Sequence, residues 1–175
     1  MLDKAKSQFG GWRWLWISLL VMIIDQASKN WANINLYFGA PREITSFFNL
    51  NLAYNSGAAF SMLDSLGGLG TIILALISLL MIAFILIWLK RTPSNHKLLC
   101  IGLALVEGGA VGNLIDRLSR GFVVDFFGFH IKDWHFAYFN VADSAICIGV
   151  GLILLHMIIN RQEDSKEDNN ENSSS

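Results

Sequence analysis

The stretch "GTIILALISLLMIAFILIWL" (70–89) decides what kind of fold this chain can adopt. It carries no charged residue over 20 positions. At a helical rise of about 1.5 Å per residue it extends about 30 Å, which is the thickness of the hydrocarbon core of a bilayer. An apolar run of this length predicts a transmembrane helix.

The composition of the whole chain also indicates a membrane protein. Hydrophobic residues make up 53% of the 175 residues and charged residues only 15%, which is more apolar surface than a soluble core of this size would bury. The last residues, 161–175, are polar, acidic and free of aromatic residues, a composition typical of disorder. We therefore expect one integral-membrane domain over 1–160 and a disordered tail over 161–175.

Three more apolar stretches predict membrane helices, and a mainly α fold with four spans follows. The N-terminal one of these stretches, which precedes Lys29, would also fit a cleaved signal peptide. Against this, apolar character resumes beyond Lys29 and no suitable cleavage site follows. Basic residues are dense before the first helix, between the second and third helices, and after the fourth. This distribution predicts that both termini are in the cytoplasm. We expect helices at about 13–30, 70–90, 98–117 and 138–160, with outer segments at 31–69 and 118–137.

The two outer segments contain strand patterns. In "FNLNLAYN" (48–55) larger apolar residues alternate with Asn and Ala, and a period of two predicts a half-buried strand. The stretch "GFVVDFFGFHI" (121–131) is rich in β-branched and aromatic residues. A small extracytoplasmic sheet at the outer interface is predicted.

Ionisable residues in a membrane helix are costly, so each needs an explanation. Asp25 and Lys29 are four residues apart and share a helix face, where an intrahelical ion pair is a simpler account than a catalytic role. In "GGAVGNLIDR" (108–117), Gly108 and Gly112 form a small-residue face for close helix packing. The polar side chains that follow fit either contacts between helices or a binding role: Asn113, Asp116 and Arg117.

Asp125 and Asp143 have no obvious cation nearby in the sequence and are flanked by apolar residues. Two close carboxylates share a proton, and such a pair can activate water for hydrolysis. A separation of 18 positions does not establish that they meet, and Asp116 is an alternative partner.

No metal or cofactor site is predicted. His135 and His156 lie about 30 Å apart along the fourth helix, and no Cys or His spacing of ligand type occurs. A proton-coupled transporter should carry acids across the whole membrane, whereas all but Glu107 collect at the outer end. That transporter and a non-enzymatic membrane scaffold remain the alternatives to an enzyme.

The chain resembles the bacterial lipoprotein signal peptidases, the type II signal peptidases, over almost its whole length. The resemblance is carried, in family order and spacing, by five blocks: "DQASK" (25–29), "NSGAAF" (55–60), "GGAVGNLIDR" (108–117), "GFVVDF" (121–126) and "FNVADSAI" (139–146).

The resemblance implies an intramembrane aspartic endopeptidase of the bacterial inner membrane, which cleaves diacylglyceryl-modified prolipoproteins before the lipidated cysteine. It implies Asp125 and Asp143 as the catalytic pair near the outer face, with Asp25 and Lys29 supporting the fold. The substrate cleft it implies contains Asn55, Gly57, Asn113, Asp116, Arg117 and Asn140.

The resemblance further implies a β-cradle, a short interfacial helix, sensitivity to the cyclic peptide globomycin and no need for a metal or other cofactor. We expect a monomer whose partners are lipid-modified prolipoproteins and membrane lipids, without nucleic acid. Glu107 stands where an aliphatic residue is expected, and neither it nor the acidic tail is explained.

Overall fold

The computed structural model describes residues 10–57, 68–131 and 134–173, with side chains for all of these except His135 and residues 162–173. A short 3₁₀ helix at Gly11–Trp14 leads into the first long helix. The long helices are α1 (Leu15–Asn35), α2 (Gly68–Arg91), α3 (Lys97–Arg120) and α4 (Val141–Ser173). The strands are β1 (Arg42–Thr45), β2 (Phe48–Asn55), β3 (Val123–Ile131) and β4 (Trp134–His135).

Three helices in the described part of the chain are long and apolar enough to cross a membrane: α2, α3 and the Val141–Arg161 portion of α4. The 21-residue α1 is not among them, because its second half is polar from Asp25 onward. The mainly helical membrane fold is therefore confirmed, whereas the fourth span stays a prediction.

α3 is the central helix and packs against the other three. The predicted small-residue face makes this possible, since Gly108 lies against Ser18 and Val21 of α1, and Gly112 lies against Asp25. Gly109 lies against the carbonyl oxygen of Ala142 in α4. Close backbone approach through glycine strengthens van der Waals packing where lipid provides no hydrophobic drive for association.

The four strands form an antiparallel sheet in the order β1-β2-β3-β4. Asn55 pairs with Val123 and Ala53 with Asp125, so the end of β2 lies beside the start of β3. One apolar cluster joins this part of the sheet to the end of α1: Ala32, Leu36, Leu52, Val124 and Phe126. The predicted strands at 48–55 and 121–131 are confirmed within two residues.

Several boundaries differ from the predictions. α1 continues to Asn35 rather than ending near 30, and α4 begins at Val141 rather than near 138. α4 also continues to Ser173, through the tail predicted to be disordered. Residues 162–173 contain no Gly or Pro, and extending an existing helix costs less than nucleating one.

The described residues of 36–57 and 121–140 form no helix, so the predicted interfacial helix is not among them. Residues 58–67, which include the end of the "NSGAAF" block, lie outside the described part.

Two glycine substitutions test the packing of α3 on α4. A Cβ at position 109 would collide with the Ala142 carbonyl, whereas a Cβ at position 151 meets nothing within 4 Å. We expect Gly109→Ala to lower the free energy of unfolding by about 1–3 kcal/mol. Gly151→Ala should be neutral or stabilise by about 0.5–1 kcal/mol, since Ala favours helix. Thermal unfolding in detergent measures both, and equal midpoints would contradict the proposed packing.

Candidate active site

The polar residues collect where the C-terminal halves of α1 and α3 meet the start of α4 and β3. They form two connected groups, one around the ammonium of Lys29 and one around the side chain of Asn140. Most of these side chains are buried, so their hydrogen bonds must be made within the protein.

Lys29 is fully buried, at 0% exposure. Its Nζ contacts Asp25 Oδ2 at 2.8 Å and Asp116 Oδ2 at 3.0 Å, and it donates a hydrogen bond to Asn113 Oδ1 at 2.8 Å. The other oxygen of Asp116 pairs with Arg120 at 2.9 Å. The buried cation thus has two carboxylates and an amide as partners, the condition under which a buried charge is tolerated.

The same carboxylates hold the ends of two other elements. Asp25 Oδ1 accepts the backbone N–H of Ala142 in the first turn of α4, at 2.9 Å. Asp116 Oδ2 accepts the backbone N–H of Val124 in β3, at 3.2 Å. The Lys29 group therefore fixes the position of α4 and β3 relative to α1 and α3.

Asn140 and Asp143 form a reciprocal cap at the beginning of α4. Asn140 Oδ1 accepts the N–H of Asp143 at 2.9 Å, and Asp143 Oδ2 accepts the N–H of Asn140 at 3.2 Å. This is the arrangement of a capping box, which satisfies otherwise unpaired N–H groups of a helix start. The cap fixes the carboxyl of Asp143 at the helix N-terminus.

Asn140 also binds the second aspartate. Its Nδ2 donates to Asp125 Oδ1 at 2.7 Å, while Asn55 Nδ2 donates to Asp125 Oδ2 at 3.0 Å. A single asparagine side chain therefore contacts Asp125 through its amino group and the backbone of Asp143 through its oxygen. The two aspartates predicted from the sequence therefore contact the same asparagine.

Asn113 connects the two groups. Its Oδ1 accepts from Lys29, and its Nδ2 donates to Asp143 Oδ1 at 2.8 Å. Because Lys29 holds the amide oxygen, the amino group must face Asp143.

The two carboxyls have unequal surroundings. Asp125 is only 2% exposed, and burial raises its pKa to about 6, with Asp143 nearby adding to the rise and the hydrogen bonds from Asn55 and Asn140 opposing it. Asp143 is half-buried and lies in the first turn of α4.

The other predicted cleft residues divide between the two groups. Gly57 donates its N–H to Asn55 Oδ1 at 2.9 Å, at a φ of 121° that glycine adopts readily. Arg117 donates to the carbonyl of Asn113 at 3.4 Å. Asp116, by contrast, is fully buried in the Lys29 group.

Sequence reasoning missed Gln26. Its Nε2 donates to Asp25 at 3.2 Å, to the Gly112 carbonyl at 3.0 Å and to Asp116 at 3.2 Å. Its place beside Asp25 in a polar block was the available signal.

Glu107 is another buried acid of α3. It is 4% exposed, and one of its carboxyl oxygens has no hydrogen-bond partner. Within the described residues, no group of three or more His, Cys, Asp or Glu could hold a metal ion.

Comparisons with known proteins extend these observations. The family described as Signal peptidase (SPase) II matches residues 17–159. A lipoprotein signal peptidase of Coxiella burnetii is 51% identical over 155 residues, covering 89% of this chain and 95% of the relative. One of Shewanella loihica is 42% identical over 158 residues, covering 90% and 93%.

Two solved structures of bacterial membrane enzymes are also similar. The first has a TM-score of 0.75 at 29% identity and covers 86% of this chain and 90% of its own. The second has a TM-score of 0.73 at 30% identity and covers 83% and 92%.

Fold and site together define a helical, multi-pass membrane protein. A set of buried carboxylates lies where its sheet meets its helices. The chain belongs to the signal peptidase II family.

The Lys29 group can be tested by removing its cation. Lys29→Met leaves Asp25 and Asp116 buried without their shared partner, and we expect the free energy of unfolding to fall by about 3–5 kcal/mol. Adding Asp25→Asn to this variant should recover part of the loss, because Asp116 still pairs with Arg120. Thermal unfolding measures both, with exposed Lys90→Met as the control; a Lys29→Met midpoint equal to the control's would refute the assignment.

Proposed function

We propose that this protein removes signal peptides from diacylglyceryl-modified prolipoproteins, cleaving before the lipidated cysteine, with Asp125 and Asp143 as a water-activating pair. The observation that carries the proposal is the shared contact of Asn140 with both aspartates. Family membership supports the removal of signal peptides from prolipoproteins.

The unequal surroundings suggest which carboxyl holds the shared proton. Asp143 accepts a backbone N–H and an amide N–H, lies in the first turn of α4 and is only half-buried. Asp125 is more deeply buried, and burial favours the neutral acid. We infer that Asp143 is the base and Asp125 the acid.

In the reaction that follows, Asp143 takes a proton from water while the water oxygen bonds to the scissile carbonyl carbon. Asp125 donates its proton to the carbonyl oxygen, which gives a neutral tetrahedral diol. Asp143 then passes its proton to the leaving nitrogen as the C–N bond breaks. Asp125 recovers a proton from the diol hydroxyl, so the pair returns to its starting state without a covalent intermediate.

Asn140 and Asn113 act in this proposal as positioning residues. Both amides are already bonded to the aspartates or to Lys29, so their first role is to hold the carboxyls in place. Asn55, Gly57 and Arg117 remain the candidates for substrate contacts, while the full burial of Asp116 argues for a structural role.

The membrane arrangement completes the proposal. α1 would be a fourth span whose polar half is neutralised inside the bundle by the Lys29 group. The basic residues at the end of α2 and the start of α3, namely Lys90, Arg91 and Lys97, favour cytoplasmic placement of the connection between these helices. Both termini would then be cytoplasmic, with the sheet and the aspartates near the outer face of the inner membrane, and the protein would act as a monomer.

The aspartate pair is tested by isosteric substitution. Asp125→Asn and Asp143→Asn each remove an ionisable group, and we expect kcat for a synthetic prolipoprotein to fall by about 10²-fold or more. Glu43→Gln, on the exposed strand β1, is the matched control and should retain activity. Cleavage at the control's rate by either variant, with a native unfolding midpoint, would exclude that residue from catalysis.

The proton assignment predicts a pH dependence. Burial raises the pKa of Asp125 to about 6, so its protonated form is lost as pH rises through that value and kcat/KM should fall with it. The hydrogen bond from Asn55 opposes this rise in pKa, and Asn55→Ala should move the alkaline limb to higher pH. A pH series of kcat/KM measures both, and a limb that stays in place or moves to lower pH contradicts the assignment.

A further inference from the structure

A groove near the C-terminal end of α2 lies far along the helix from the aspartates, and the functional residues do not account for it. Its volume is about 290 Å³. Four residues line it, spaced three or four positions apart so that they share one face of the helix: Phe84, Ile87, Trp88 and Arg91. Phe84 and Arg91 lie about 10 Å apart along the helix axis, at about 1.5 Å per residue. The groove therefore has an apolar length and a cationic end.

The wall of the groove is held in place by packing. The ring centroids of Phe84 and Trp88 lie 5.7 Å apart, with the ring planes at 60°. Trp88 also packs against the buried cluster between α2 and α3: Ile85, Leu89, Cys100 and Leu103. A side chain already held by its neighbours loses little further rotamer freedom when a ligand contacts it. The apolar wall is thus formed before a ligand binds.

Arg91 is the polar group of the groove, and it has no partner among the side chains that the structure describes. The ion pairs of the described residues involve Lys29 and Arg120 but not Arg91, and Arg91 is exposed. A basic residue in the last turn of a helix is favoured by the helix dipole and by cytoplasmic placement. Lys90 lies in the same turn and meets both conditions equally well, yet only Arg91 lines the groove.

The apolar part of the groove faces lipid. Only 11% of the most apolar 18-residue window of α2 is buried inside the protein, and Phe84 and Ile87 are 55% and 51% exposed. In a bilayer, acyl chains cover such a face. A helix of another protein would need a carboxylate of its own to neutralise Arg91, whereas the phosphate of a lipid carries the required charge at the membrane surface.

We propose that this groove binds an anionic phospholipid, with an acyl chain along Phe84 and Ile87 and the phosphate paired with Arg91. The planar guanidinium presents parallel N–H donors that match two phosphate oxygens. Acyl chains are as apolar as the groove wall, so selection among lipids comes from the headgroup. The proposal does not involve the aspartates; it rests on the proposed membrane arrangement, in which the C-terminal end of α2 lies at the cytoplasmic face.

Native mass spectrometry of the purified protein in detergent tests the headgroup preference. Phosphatidylglycerol and phosphatidylcholine with identical acyl chains are titrated separately, and the apparent Kd of the first bound lipid is measured. We expect the Kd for phosphatidylglycerol to be about ten-fold lower, because its net negative charge is paired with Arg91. In Arg91→Gln the two Kd values should agree within about two-fold.

Lys90→Gln is the matched control, since it removes the same charge from the same helical turn but from a residue outside the groove. It should keep a preference for phosphatidylglycerol of about five-fold or more. Equal losses in the two variants would show a general surface attraction and overturn the proposal, as would equal Kd values for both lipids in the unsubstituted protein.

A soluble headgroup analogue separates a lipid site from a site for free phosphate. Glycerol 3-phosphate at millimolar concentration should leave the bound phosphatidylglycerol in place, because it has no acyl chain to lie along Phe84 and Ile87. Displacement of the lipid by this analogue would contradict a lipid site.

Thermal unfolding provides an independent measurement. A ligand that binds only the folded state raises the unfolding midpoint, and saturating phosphatidylglycerol should raise it by about 5 °C in the unsubstituted protein and in Lys90→Gln. Arg91→Gln should unfold at the native midpoint without lipid and gain less than about 1 °C with it. An equal gain in Arg91→Gln would place the lipid elsewhere. Neither measurement involves cleavage, so a loss of cleavage would contradict the proposed function alone.

Discussion

The buried ammonium of Lys29 is the constraint on which the rest of the site depends. A charge removed from both water and lipid is tolerated only when surrounding groups neutralise and hydrogen-bond it. Asp25 and Asp116 do so, and each also binds a backbone N–H of another element, in α4 and β3 respectively. Electrostatic neutralisation and the docking of a helix and a strand are therefore achieved by the same two carboxylates.

The second group is built on this base and shows how a local helix signal becomes part of a site. Asn140 and Asp143 satisfy the ordinary need of a helix start for side-chain acceptors. The amino group of Asn140 takes no part in this cap and donates a hydrogen bond to Asp125 on the neighbouring strand. A capping interaction thereby sets the position of two carboxyls that come from different elements.

Much of the fold could be predicted because its signals are local. The length and apolarity of 70–89, the alternation in 48–55 and the ion-pair spacing of Asp25 and Lys29 each depend on a few neighbouring residues. The end of α4 was less predictable, since polar composition at 161–175 indicates disorder while a preceding helix favours continuation. The interfacial helix was expected only from resemblance, and residues 58–67 lie outside the described part.

The sequence by itself determined that the protein lies in a membrane and roughly where its main helices and strands are. It also marked Asp125 and Asp143 as candidate functional residues. It could do so because hydropathy and the cost of burying a charge are properties of residue types. Only the tertiary structure decided that Asn140 joins these aspartates and that Asp116 belongs with Lys29 instead. Such contacts depend on how a strand and three helices meet in space, which no local pattern encodes.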